Sequence, residues 1–269
     1  MATGIGSVRS VKDLAASQSA LQRSLSRLGS GRRITQAADD AAGLAISEKL
    51  RATERAFAQA ERNLADGIGL ARTAEGALGQ STEIVSRLRE LAVQAQNGAL
   101  DDSARGAIQR EFDQLTAEVT RISGATQFGG QKLLNGETDG AGALAIRDGS
   151  TSSSDGVVSI SVPDSSAESL GIAGLRASDG ATLDALDQAL QTLSGSRGQL
   201  GAAETRLTSA IENTRVGREN TSAALSRIRD ADVAQTAADR TRAQIQQQVQ
   251  TAVQAQANLS AGAALALLS

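Results

Sequence analysis

The stretch Leu50–Ala92, LRATERAFAQAERNLADGIGLARTAEGALGQSTEIVSRLRELA, decides the fold. Leu50, Phe57, Leu64, Ala71, Leu78, Val85 and Ala92 recur at every seventh position through it. A strand would alternate every two residues, and a globular helix rarely keeps one register so long. The pattern therefore predicts a coiled-coil helix. Just upstream, Asp39 and Asp40 offer carboxylates that cap its start and suit its positive end. Downstream, Asn97-Gly98 predicts a stop, since both residues tolerate the left-handed conformation. Glu83 and Arg87 stand four apart, the spacing of a helical ion pair.

Toward the N-terminus, Val8–Leu28 is a second amphipathic segment with Leu14, Leu21 and Leu28 seven apart and Leu25 beside them, broken at Gly29-Ser30-Gly31. Beyond Gly98, Asp101-Asp102-Ser103 opens a shorter helix that runs to Ile122 and ends at Ser123-Gly124. The pattern then changes. Leu144–Ile146 and Val157–Val162 alternate as two strands around a Ser-rich loop, Asp148–Gly156, which predicts a small hairpin. Little separates Val162 from Thr182, where a helical stripe resumes as Leu186, Leu193, Leu200 and Leu207. Gly195, Gly198 and Gly201 weaken that helix locally and permit close approach or bending there.

The C-terminal segment is the most unusual. No ionisable side chain follows Arg242 up to Ser269, yet Ile245, Val249, Val253 and Leu259 keep a near-helical spacing among many glutamines. A soluble monomer would normally place Lys and Glu on the wet face of such a helix. A neutral polar face predicts one side wet and the other crowded by copies of the same chain. The tail should be loose alone and ordered among neighbours, because seven large apolar side chains do not outweigh the cost of fixing its backbone.

Composition narrows the function classes. The 269 residues include three aromatics, Phe57, Phe112 and Phe128, so leucine, isoleucine, valine and alanine must build the core, as in coiled coils. The single proline, Pro163, leaves long helices uninterrupted on both sides. A net charge of −3 argues against nucleic acid as a partner. No run is long and apolar enough to span a bilayer, and Met1–Ser10 lacks a cleaved secretory signal. Without His or Cys there is no zinc site, no Cys nucleophile and no His base. The reading is no enzyme, no metal, no cofactor, and neither nucleic acid nor membrane as partner.

The fold class that follows is mainly α: a long antiparallel α-helical coiled-coil bundle with a small β-hairpin, its N- and C-terminal helices paired. Specific strings then add a family. Ser17–Gly31 (SQSALQRSLSRLGSG), Asp39–Ile46 (DDAAGLAI), Thr73–Leu78 (TAEGAL), Arg87–Gln94 (RLRELAVQ), Ser123–Phe128 (SGATQF), Ser226–Asp232 (SRIRDAD) and Gln254–Asn258 (QAQAN) occur in order. In these strings the chain resembles bacterial flagellin along nearly its whole length, as a short form lacking large outer domains. It departs from that pattern in its opening, Gly4-Ile-Gly-Ser-Val8, in Val233 where an aromatic is common, and in Leu267-Leu268-Ser269, which lacks a final Arg.

The resemblance implies a structural subunit that polymerises into the flagellar filament for swimming, extracellular, and exported unfolded by the flagellar type III apparatus without a cleaved signal peptide. Implied partners are other flagellin copies, the export apparatus and a flagellin chaperone, and the filament cap and hook-junction proteins. It implies an inner tube from residues 1–42 and 230–269 and an outer shell from 43–180 and 181–229. Arg87, Leu91, Gln94 and Glu111 are implied contacts for subunit packing, on a surface that a vertebrate Toll-like receptor reads in several members. Ile245, Val249, Val253 and Leu259 mark the terminal assembly helix. Sugar on Ser150–Ser154 and an unmodified turn both stay open. Two alternatives share features with this reading: a hook–filament junction protein, and a secreted membrane-active amphipathic helix, which the lack of Lys, Arg and aromatics on the tail disfavours.

Overall fold

The computed structural model describes residues 2–136, 143–147 and 156–268. Five helices and four short strands follow in the order α1 (Ala2–Ser30), α2 (Ala41–Ala95), α3 (Asp102–Ala125), β1 (Gln127–Phe128), β2 (Gln131–Lys132), β3 (Ala143–Arg147), β4 (Val157–Ser161), α4 (Gly180–Arg229) and α5 (Val233–Leu268). The mainly helical fold matches the expectation, with α1 already helical from Ala2. Contacts divide the chain into one unit of residues 1–54 and 219–269 and another of residues 55–218.

In the second unit, α2 and α4 run antiparallel. Leu64, Ala71, Leu78, Val85 and Ala92 of the founding heptad are buried together with Leu186, Leu193, Leu200 and Leu207. Ion pairs step down the flanks in one register: Glu61 with Arg215 at 2.9 Å and Arg218 at 2.8 Å, Arg72–Glu204 at 2.6 Å, Glu75–Arg197 at 2.9 Å and Arg89–Asp187 at 2.6 Å. Exposed pairs of this kind add little stability, but they match only one alignment of the helices. Gly195, Gly198 and Gly201 neither break α4 nor face a neighbour; a Cβ at any of them would meet nothing within 4 Å. Close approach occurs instead at buried Gly67 of α2, where a Cβ would collide with the Ile146 side chain of β3.

The helix ends follow the side chains available. Asp101 caps α3 by accepting from the Ala104 N–H at 2.7 Å, as the Asp-Asp-Ser start predicts. α2 stops at Ala95, beside Asn97-Gly98 as expected, but Gly98 is not left-handed; Asn97 instead accepts from the Ala99 N–H at 3.0 Å.

β3 and β4 form the predicted antiparallel hairpin, with Ala145 opposite Ser159; its tip, like Ser150–Ser154, lies outside the described residues. A smaller hairpin, β1–β2, was not anticipated. Its loop is Gly129-Gly130, both with positive φ (60° and 86°), and Gly-Gly between two short extended runs is a recognised hairpin signal. The span between β4 and α4 is also more than a linker. It buries Ser165, Ala167, Leu170, Ile172 and Ala177, and Gln109 of α3 holds it by accepting from the Ala177 N–H and donating to the Leu175 carbonyl. Ser123, inside α3 near its end, is buried and donates to the Leu134 carbonyl at 2.6 Å.

In the first unit, α1 and α5 lie antiparallel with Cα atoms within 8 Å. Their connectors are clipped together: the Arg33 N–H donates to the Arg229 carbonyl, the Ala231 N–H to the Gly31 carbonyl, and the Arg33 guanidinium to the Ile228 carbonyl. Asp39 and Asp40 divide the work that the sequence assigned to both. Asp40 caps α2 through the Gly43 N–H at 2.8 Å. Asp39 accepts from the Thr35 N–H, the Thr35 hydroxyl and the Gln36 N–H, and faces Arg27 at 3.7 Å. Those hydrogen bonds, Thr35's first, hold its carboxyl below the ordinary value of 3.8.

Candidate functional site

Two surfaces carry the residues singled out in the sequence, and each lies within one unit. The first is the α1–α5 pair. Helical geometry puts Thr236, Asp239, Ala243, Gln247, Gln250 and Gln254 on one side of α5. This is the side turned to α1: Thr236 and Ala243 are buried, the others are half-buried, and the Ser17 hydroxyl donates to Gln250 Oε1 at 2.9 Å. Opposing it on α1 are buried Ser17 and half-buried Leu14, Leu21, Ser24 and Leu28.

The apolar stripe of α5 points elsewhere. Ile245 is 56% exposed, Val249 and Val253 55%, and Leu259 69%. Val11 and Leu25 of α1 are exposed as well. Ile245 and Val249 rim a groove of about 390 Å³ with Ala16 and Ala20 of α1. The sequence placed the glutamines toward water and fellow copies; in the structure Gln246, Gln248 and Gln256 are exposed, but Gln247, Gln250 and Gln254 face the chain's own α1. A single chain thus leaves uncovered a row of large apolar side chains with no charge among them.

The second surface is on α2 and α3. Arg87 donates to Glu90 at 2.9 Å and to Glu111 of α3 at 3.0 Å, so its ion pairs replace the expected Glu83–Arg87 pair. The hydrogen bonds to Glu90 and then Glu111 keep its guanidinium above its ordinary pKa. Gln94 is exposed on the same helix, with Val93 beside it 52% exposed. Leu91 is 1% exposed and belongs to the core, so Arg87, Gln94 and Glu111 share a surface while Leu91 lies beneath it. Among the described residues no group of acidic side chains is arranged to hold a metal ion, and no helix is long and apolar enough to cross a membrane.

Residues 4–139 match the bacterial flagellin N-terminal helical region, and residues 183–268 match the bacterial flagellin C-terminal helical region. The chain belongs to the bacterial flagellin family. A flagellin of Halalkalibacterium halodurans is 41% identical over 92% of this chain and 91% of its own length. The Bacillus subtilis flagellin is 36% identical over 94% of each. A flagellar filament core protein of Treponema maltophilum is 35% identical over 91% of each. The crystal structure of Bacillus cereus flagellin superposes with a TM-score of 0.50 at 29% identity, covering 57% of this chain and 88% of that one. This flagellin is a structural subunit of the extracellular flagellar filament, and its partners in the filament are other flagellin copies.

Proposed function

We propose that this flagellin joins the filament through the outward stripe of α5, Ile245, Val249, Val253 and Leu259, and that neighbouring copies cover it. The observation that carries the reading is the exposure of all four side chains in the isolated chain, on a segment free of charge. Burying each large apolar side chain contributes roughly 1.5–3 kcal/mol, a driving force that exists only in the polymer. On this reading residues 1–42 and 230–269 form the inner tube, and 43–180 with 181–229 the shell around it. The surface of Arg87, Gln94 and Glu111 is a second packing contact, with Leu91 holding the helix beneath it. The same surface would be open to a vertebrate Toll-like receptor on free monomer.

The remaining partners follow from the same reading. The subunit has no catalytic role, and it is exported unfolded, without a cleaved signal peptide, by the flagellar type III apparatus with a flagellin chaperone. It then adds beneath a filament cap on a base of hook-junction proteins. A charge-free tail suits passage as an extended chain, because it carries no ionisable side chain beyond Arg242. The test is extension of short filament seeds by Ile245→Gln/Val249→Gln, followed by electron microscopy. We expect growth to stop; growth at the unmodified rate would refute the assembly role of α5.

A further inference from the structure

The α1–α5 seam is built against the hydrophobic effect. On α1, Leu14, Leu21 and Leu28 face α5, yet α5 answers with Thr236, Ala243, Gln247, Gln250 and Gln254. Its own apolar row, Ile245, Val249, Val253 and Leu259, is centred roughly 140° away round the helix at about 100° per residue. Turning α5 about its axis would bring leucine against isoleucine and valine, bury more apolar surface, and send the glutamines to water. The structure does not do this. Three features oppose the turn. The Ser17 hydroxyl, 5% exposed, stands 2.9 Å from both the Leu14 carbonyl and Gln250 Oε1, so rotation would leave Ser17 its Leu14 bond but strip the half-buried Gln250 amide of its partner across the seam. Thr236 and Ala243 are small, which lets the backbones approach as closely as they do. The clip between Ala231 and Gly31 anchors the first turn of α5.

We infer that the glutamine seam of α5, centred on the Ser17–Gln250 hydrogen bond, is a specificity device that prevents the tail from burying its apolar row against its own chain and so reserves that row for a second copy. A single polar residue at a core position of a coiled coil sets register and partner at a cost in stability, and Gln250 holds such a position here. The inference rests on the reading that the outward row is the assembly surface.

The test compares the full-length chain with Gln247→Ala/Gln250→Ala/Gln254→Ala, with Gln250→Ala alone, and with Ile245→Gln/Val249→Gln. Two quantities are read: amide exchange over residues 244–258 in dilute monomer, and the rate of seed extension. For the triple variant we expect exchange slowed and seed extension slowed, each by roughly tenfold or more, because α5 is now free to turn and bury Ile245, Val249 and Val253 against Leu14 and Leu21 of its own chain. Gln250→Ala alone should shift both in the same direction by a few-fold, and it is the deciding arm if the triple variant aggregates. Extension at or above the unmodified rate, or a tail that exchanges as fast as before, overturns the inference. Ile245→Gln/Val249→Gln should lose extension without gaining protection. If that variant extends seeds normally, the assembly reading itself is wrong, whereas failure of the glutamine arm alone leaves it standing.

Discussion

Replacing Gly195, Gly198 and Gly201 together by alanine should stabilise the unit of residues 55–218. The three lie inside the unbroken helix α4, are exposed, and have no heavy atom within 4 Å of where a Cβ would stand. None has positive φ, so alanine meets neither steric nor conformational resistance. The gain comes from the unfolded chain, whose glycines have more freedom to lose. It amounts to about 0.4–1 kcal/mol at each site, or about 1–3 kcal/mol for three independent sites. In a unit of this size 1 kcal/mol moves the melting temperature by about 2–4 °C, which gives a rise of about 2–12 °C. Circular dichroism melting of dilute monomer measures it directly. An unchanged or lowered transition would mean that these glycines meet something in the monomer, and would refute the claim that α4 is open there.

Gly67 should gain less: Gly67→Ala pushes its methyl against the end of the Ile146 side chain, and the work of moving that side chain is expected to offset the gain in helix propensity, leaving a smaller rise than at the exposed glycines in the same melt. Leu193→Ala, at a position fully buried between α2 and α4, should cost about 2–5 kcal/mol by urea titration. Ser123→Ala removes the buried hydrogen bond to Leu134, whose carbonyl keeps the Ser165 N–H, so a loss of about 1 kcal/mol is expected in the same titration. Asp39 supplies a pH dependence. Its folded carboxyl is held below 3.8, so its stabilisation is complete above that value and fades as pH falls through the lower folded value. Amide exchange at Thr35 and Gln36 should therefore be slower in the unmodified chain than in Asp39→Ala near neutral pH, with the difference closing under acid; a gap that persists below the folded value would contradict this.

Much of the architecture was legible because long helices announce themselves by repetition. The register from Leu50 to Ala92 and its counterpart from Leu186 to Leu207 required two long apolar stripes, and each found its cover in the other. The β3–β4 hairpin was visible in its alternation. The Gly129-Gly130 hairpin carried an equally readable signal, but its strands are only two residues each and gave no period to notice. The polar details were harder. Arg87 had carboxylates available along its own helix, and only the docking of α3 placed Glu111 within 3.0 Å of it. Asp39 and Asp40 are adjacent in sequence, and only the path of the connector made one a cap and the other a staple for Thr35 and Gln36.

The tail marks the division most plainly. Spacing alone determined that residues beyond Arg242 form a helix with an apolar row on one side and glutamines on another. The direction each side faces was decided by the tertiary structure. Periodicity records which side chains share a face, but it carries no information about what covers that face. With the backbone clip at Gly31 and Ala231 and the contact of Ser17 with Gln250, Gln247, Gln250 and Gln254 face inward, against the leucines of α1. The isoleucine, valines and leucine are left exposed.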